Sequence, residues 1–187
     1  MIIKHDNPCG VSIHQNRIKS FKEALESDPI SAYGGIVSCN FKMKIDLARE
    51  MSKIFFEVII ANGFDSKSLN FLKKKKNLRI IDSSELKGNI ELSFKSKFNS
   101  ILIQSTDNII FSKKNFKVVS KKKPNKETLN KLIFAFNVCR NIKSNAVVIT
   151  QNYKTVGIGS GQPSRLDSCQ LAINKMKKFQ NFKKNEE

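Results

Sequence analysis

The stretch Ile3-Lys4-His5-Asp6-Asn7-Pro8-Cys9-Gly10 places a cation, an imidazole, two short polar side chains, a proline and a glycine within eight residues. Histidine gives or takes a proton near neutral pH. A partly desolvated lysine beside it can donate a proton or stabilise developing negative charge. Lys4 and His5 at a strand-to-loop junction therefore suit chemistry on a small polar molecule. Taken alone, the stretch favours the plainer reading, a surface turn with one Lys and one His.

Three further places carry the same double reading. Tyr33-Gly34-Gly35 holds paired glycines, which let backbone approach a ligand and expose N–H groups to an anion, or simply turn the chain into a strand. Glu57 stands at the head of the apolar run Val58-Ile59-Ile60-Ala61, either at the strand's exposed end or in use. Gly159-Ser160-Gly161-Gln162-Pro163-Ser164-Arg165 leads into a helix, where N–H groups and dipole favour an anion. The Walker spacing GxxxxGK[ST] is absent.

The elements that must position these residues follow from periodicity. Met1 to Ile3 read as the end of a strand, with a tight turn forced by Pro8 and Gly10. Residues 17–27 read as a helix with Ile18, Phe21, Ala24 and Leu25 on one face, ended by Asp28-Pro29, with a loop over 30–35. Ile36 to Cys39, Glu57 to Ala61, Asn77 to Asp82, Ile101 to Gln104, Phe116 to Val119, Ser144 to Ile149 and Thr155 to Gly159 read as strands. The last two form a hairpin, and residues 83–99 read as a loop or hairpin. Asp46 is placed to cap a helix carrying Leu47, Met51, Ile54 and Phe55. Ser66 to Lys75 reads as a short basic helix. Pro124 to Ile142 reads as a core helix, striped by Leu129, Leu132, Ile133, Phe136 and Cys139. The final helix puts Leu166, Cys169, Ile173 and Met176 on one face. Strands alternating with helices predict an α/β layered fold.

Hydrophobic residues make up 40% of 187, enough for a core and too many for wholesale disorder. No apolar run approaches membrane-spanning length, and the N-terminus lacks the order of a secretory signal. Cys9, Cys39, Cys139 and Cys169 are far apart with no CxxC, which fits free thiols in a reducing compartment and favours the cytoplasm. The net charge is +18, yet only five of the 34 basic residues are arginine. Nucleic-acid readers rely on Arg and on stacking aromatics, so a solvated lysine face is the main reading of the charge and nucleic-acid binding the minority one.

Taken in order, these loops resemble one family, the formyltransferase domain of bifunctional AICAR transformylase/IMP cyclohydrolase. Lys4 to Gly10 is similar to its KHxNPCG. Asp28-Pro29 with Ser31 to Gly35 resembles DPxSAFGG, and Glu57 to Ala61 resembles EVIIA(P). Gln104 and Asp107 fit LxQxxD, Lys143-Ser144-Asn145-Ala146 is similar to KSNAI, and Thr155 to Arg165 resembles TVGIGAGQMSR. The resemblance covers 1–175 and leaves 176–187 as a lysine-rich tail.

The resemblance implies a layered mixed sheet with helices, a cytidine-deaminase-like transformylase subdomain. It implies formyl transfer from 10-formyltetrahydrofolate, a co-substrate, to the 5-amino group of the nucleotide AICAR, with no metal. By carry-over, His5 is the base and Lys4 an electrostatic or proton-donating group. Tyr33 lines the site and Gly34 contacts AICAR through backbone. Glu57 falls where some members have an AICAR-binding Asp, Asn145 fits the position bonding the reacting carboxamide region, and Arg165 fits a nucleotide-binding one. Full-length members pair as homodimers. The departures are Asn62 for Pro, Tyr33 for Phe and Pro163 for Met. The family's cyclohydrolase domain, its RYGENPHQ-like segment and the C-terminal part of the transformylase domain have no counterpart, so the chain is expected to correspond to the middle of that enzyme. Two alternatives stand beside this one: an inactive remnant, and a lysine-rich nucleic-acid-binding domain. A zinc deaminase needs H-x-E and P-C-x-x-C. Asn7 stands two after His5, and Cys9 lacks its partner. His14 reads as a surface residue beside the first helix.

Overall fold

The computed structural model describes residues 1–86, 92–109, 111 and 113–180. In chain order the elements are β1 (Ile2–Lys4), β2 (Asn7–Gly10), α1 (Arg17–Ser27), α2 (Pro29–Ala32), β3 (Gly35–Cys39), α3 (Ile45–Met51), β4 (Phe56–Ala61), α4 (Ser66–Leu72), β5 (Arg79–Asp82), β6 (Leu92–Lys97), β7 (Ser100–Ser105), α5 (Lys126–Cys139), β8 (Val147–Gln151), β9 (Lys154–Gly159) and α6 (Arg165–Phe179). They fall into two units: Met1–Ser84 with Pro124–Glu187, and Glu85–Lys123.

The first unit is built on a mixed sheet in the order β2-β1-β3-β4-β5. β3, β4 and β5 run parallel, joined through α3 and α4, while β1 runs antiparallel to both β2 and β3. Parallel neighbours require such crossovers, and a helix supplies each. The register aligns Ile2 with Val37 and Val37 with Ile59. These three share a buried core with Phe21 and Ala24 of α1, Leu47 and Met51 of α3 and Leu72 of α4. The sheet is therefore fixed by one row of branched side chains beneath three helices.

The last four elements add a hairpin and two helices. β8 and β9 pair antiparallel. The chain leaving β2 bonds to this hairpin, Thr155 N–H to Val11 O at 2.9 Å and Ile13 N–H to Tyr153 O at 2.8 Å. α6 lies very close on β9. A Cβ on Gly157 would stand 2.2 Å from Ala172 O, and one on Gly159 1.9 Å from Ser168 O. Glycines two apart on a strand face small residues four apart on a helix, the periodicities that let both contacts form. A smaller core gathers Phe134, Val138, Ile142 and Ile158 with Val11, Ala146, Val148 and Tyr153 around it. In the second unit, β6 and β7 form an antiparallel hairpin, followed by a single 3₁₀ turn, Lys113–Asn115.

Several expectations are corrected. Asn7–Gly10 is a strand, because the turn falls one step earlier, on His5 and Asp6. Pro8 is tolerated there because β2 is an edge strand. Gly10 is needed not for a turn but for packing, since a Cβ would stand 1.9 Å from Ala24 O. Asp28 does not only end α1; its side chain caps a further helical turn, α2, within the expected loop. α3 has Lys44 at its cap position, with Asp46 inside the first turn. α3 stops at Met51, so Ile54 and Phe55 lie beyond it. α4 is capped by Asp65 and ends at Leu72, short of Lys75. Phe116 to Val119 is not a strand. α5 starts after an Asn125 cap, and the residues it buries are Phe134 and Val138, while Leu132 and Phe136 are exposed. α6 buries Ser168 and Ala172 and leaves Leu166 exposed. It also continues to Phe179, so the expected lysine-rich tail begins as helix. Residues 87–91 of the expected loop and 181–187 of that tail lie outside the described residues.

Candidate active site

Strand direction decides which loops meet. β1 ends at Lys4, and its antiparallel partner β3 begins at Gly35, so Lys4 and Gly34 lie at one end of the sheet. β4 runs parallel to β3, which brings Glu57 to that same end. Contacts close the arrangement. Lys4 Nζ donates to Tyr33 O at 2.7 Å. Gly34 has φ +69°, and its N–H donates to Phe55 O at 2.9 Å. A Cβ on Gly34 would stand 3.8 Å from the Phe55 ring and 3.9 Å from Glu57 Oε1. Tyr33 and Phe55 rings lie 5.6 Å apart. The pairing jumps from Gly35–Phe56 to Ile36–Val58, which skips Glu57 and leaves its carboxylate exposed. The bulge re-aims the side chain, as bulges beside functional sites do.

His5 occupies a two-residue turn between Lys4 and Asn7, with φ +55° at His5 and +61° at Asp6. Positive φ at both central residues is the type I′ pattern, which Asn-Gly fills at lowest cost. Holding His and Asp there costs backbone energy, and such strain collects at functional sites. His5 is exposed. Asn7 sits at the foot of the turn: its Nδ2 donates to His5 O at 3.0 Å, and its Oδ1 accepts from Lys143 N–H at 3.3 Å. Lys143 Nζ also lies 3.8 Å from Asp6 Oδ2, an exposed pair worth little.

Lys143 opens the loop that holds Asn145, and that loop grips the 160–165 loop. Gly161 N–H donates to Lys143 O at 2.8 Å, and Asn145 N–H to Gln162 O at 3.0 Å. Asn145 Nδ2 donates to Gln162 O at 3.0 Å and Pro163 O at 2.8 Å. Both amide hydrogens are thus engaged, which leaves Oδ1 as the atom a ligand N–H can use. Ser168 Oγ donates to Asn145 O at 2.6 Å. The expected anion-binding N–H groups are engaged too: Ser164 Oγ accepts from Leu166 and Asp167 N–H at 3.1 and 3.4 Å. Arg165 follows, exposed, as the first residue of α6.

A buried ion pair underlies this end. Asp28, 3% exposed, accepts from Ser31 N–H and Oγ–H at 3.0 and 2.8 Å and from Lys175 Nζ at 2.7 Å. Burial alone pushes its carboxyl upward, but Lys175 and the Ser31 bonds outweigh that and hold it below the usual carboxylate range. The pair ties α2, which delivers Tyr33 and Gly34, to α6, which begins at Arg165. Nearby Cys9 is pushed up to about 11, first by burial and then by Asp28. It is a neutral packing residue.

The structure therefore brings Lys4, Tyr33, Gly34 and Glu57 together, joins the His5 turn to the Asn145 loop, and fastens the loop before Arg165 to Asn145. The Gly34 N–H is engaged by Phe55 O and is not available to an anion. Gln104 and Asp107 belong to the second unit. His14 is half-buried, and its Nδ1 accepts from Asn16 N–H at 2.9 Å. Among the described residues, no group of three His, Cys, Asp or Glu gathers to hold a metal ion, and no helix is long and apolar enough to cross a membrane. Sequence reasoning assigned no role to Asn7, Lys143 or Lys175.

The family model described as AICARFT/IMPCHase bienzyme matches residues 1–175. The bifunctional purine biosynthesis protein PurH of Aquifex aeolicus is 43% identical over 178 residues, 95% of this chain and 34% of that protein. Its counterpart in Persephonella marina is 41% identical over 181 residues, 96% of this chain and 35% of that protein. The one in Buchnera aphidicola subsp. Schizaphis graminum is 42% identical over 179 residues, 95% and 34%. The chain spans about a third of the length of the curated relatives it matches.

Proposed function

This chain belongs to the AICARFT/IMPCHase bienzyme family, and we propose that it forms part of a site that transfers a formyl group from 10-formyltetrahydrofolate to the 5-amino group of AICAR in purine biosynthesis. The observation that carries this reading is the meeting of loops far apart in sequence at one sheet end. Lys4 Nζ reaches Tyr33 O at 2.7 Å, and Asn7 reaches Lys143 N–H at 3.3 Å. The relatives' names, bifunctional purine biosynthesis protein, support the same pathway.

The reaction poses three problems. The aromatic amine is a poor nucleophile, the tetrahedral oxyanion needs stabilising, and the folate nitrogen needs a proton before it leaves. His5 takes the amine proton as the new C–N bond to the formyl carbon forms. Lys4 stands beside it as the cation for the oxyanion, and the proton returns to the folate nitrogen as its bond to that carbon breaks. Asn145 Oδ1 accepts an N–H from the carboxamide-and-amine edge of AICAR. The Gly34 carbonyl and the Glu57 carboxylate hold the nucleotide, Tyr33 lines the site, and Arg165 supplies a cation to the nucleotide. We assign residues 1–175 to the transformylase domain, a homodimer in the cytoplasm as its working form, and no metal to the reaction.

Isothermal titration with AICAR tests the site. Saturable binding, weakened at least about tenfold in a Lys4→Ala/His5→Ala variant that stays folded, is the expected result; tenfold corresponds to about 1.4 kcal/mol. A folded chain that fails to bind AICAR at millimolar concentration overturns the assignment of a formed site to this polypeptide.

A further inference from the structure

We propose that Asn7 is a positioning residue, setting His5 against the Asn145 and Arg165 loops through its two amide ends. Its functional half rests on the formyl-transfer reading above, while its structural half stands alone. The Nδ2 end donates to His5 O at 3.0 Å, within the strained turn. The Oδ1 end accepts from Lys143 N–H at 3.3 Å. Lys143 O in turn accepts from Gly161 N–H at 2.8 Å, and Asn145 N–H donates to Gln162 O at 3.0 Å. One half-buried side chain therefore begins a hydrogen-bonded path across three loops. An exposed Asp6–Lys143 pair at 3.8 Å also links the turn to the 143–145 loop, and water and salt weaken it.

An amide suits this place because it donates at one end and accepts at the other. Aspartate keeps the acceptor for Lys143 N–H and loses the donor for His5 O. Alanine loses both. The two substitutions therefore separate the two halves of the bridge. They also separate a positioning role from general destabilisation, which would release both halves together.

The experiment is amide hydrogen exchange and histidine-ring NMR on the full chain and on Asn7→Ala and Asn7→Asp, with an AICAR titration on each. The chain holds only two histidines, so the His5 ring signal is assigned by its loss in His5→Ala. We expect the Lys143 amide to exchange about tenfold faster in Asn7→Ala, in line with the loss of one ordinary hydrogen bond. In Asn7→Asp it should keep its protection. The His5 ring signal should move in both variants, and AICAR affinity should fall in both. A Lys143 amide unchanged in Asn7→Ala, or an unmoved His5 signal in both variants, overturns the proposal. Undiminished AICAR affinity in both variants overturns its functional half. If the unsubstituted chain fails to bind AICAR, the formyl-transfer reading falls, and the exchange and ring data still decide the positioning role.

Discussion

Replacing Lys175 by Met removes the counter-charge of a carboxylate that is almost fully enclosed. Asp28 is 3% exposed, and its oxygens accept from Ser31 N–H, Ser31 Oγ–H and Lys175 Nζ. Breaking a buried pair by removing one partner costs about 3–5 kcal/mol. Two bonds to Ser31 remain, and the Lys175 side chain is itself 29% exposed, so water reaches part of the gap. We therefore expect a loss of about 2–3 kcal/mol, or about 5–10 °C in Tm for a domain of this size. Urea unfolding at pH 7 measures it. The pH dependence gives a second reading. Asp28 is held below its ordinary value in the folded chain, so its stabilisation is complete above the unfolded carboxylate pKa of about 3.9 and is lost as pH falls through the folded one. Without Lys175, burial dominates and favours the neutral acid, so the gap between variant and parent should narrow as the pH falls and both carboxyls take up a proton. Asp28→Asn added to Lys175→Met should recover much of the loss, because the amide oxygen can still accept from Ser31 N–H. A Lys175→Met variant within about 0.5 kcal/mol of the parent at pH 7, a gap independent of pH, or strict additivity in the double variant would refute the account.

Three other outcomes follow from the same contacts. Gly157→Ala should destabilise by about 3 kcal/mol, because the new methyl would meet Ala172 O at 2.2 Å and drive α6 off β9; a thermal midpoint equal to the parent's would contradict that packing. Asp65→Ala should cost about 1 kcal/mol in urea unfolding, the usual loss of an N-cap, since Asp65 Oδ1 accepts from Ser68 N–H at the head of α4. Native-state labelling at pH 8 should modify Cys139 and Cys169 first. Cys9, pushed up to about 11 by burial and by Asp28, and Cys39, raised chiefly by burial, should react only on unfolding. Four thiols reacting at one rate in the folded chain would count against the core described.

The regular part of the fold was readable because periodicity and burial agree there. Arg17–Ser27 begins and ends where its spacing predicts, with Phe21 and Ala24 facing the core. β3 and β4 lie where apolar runs predict strands. The errors fall where a backbone partner overrides side-chain character. α6 presents Ser168 and Ala172 rather than Leu166 because Gly157 and Gly159 open a backbone channel on β9 that only small residues fit. Hydrophobicity alone misses Ser168 and Ala172 and counts the exposed Leu166, although Met176 of the same stripe does lie against Gly157. α5 shows the same effect, since apolar residues occupy several of its sides and the one that Ile158 and Tyr153 meet holds Phe134 and Val138.

The site was legible as residue types and illegible as connections. Lys4, His5, Glu57 and Asn145 can be named from their chemistry and order, but nothing local shows that β1 runs antiparallel to β3. That reversal alone brings Lys4 to the same sheet end as Gly34 and Glu57. Pro8 and Gly10 drew attention as turn formers, while the turn itself uses His5 and Asp6 at positive φ, residues that pay a steric cost there. A chain selected for the stability of that hairpin alone would carry Asn-Gly. An imidazole held in a costly backbone conformation, bracketed by Lys4 on Tyr33 O and Asn7 on Lys143 N–H, is the physical support for the role proposed for His5. It also explains why the supporting residues escaped the sequence. The Asn7 side chain meets the backbone N–H of Lys143, 136 residues away, and a hydrogen bond to a distant main chain leaves no periodicity to read.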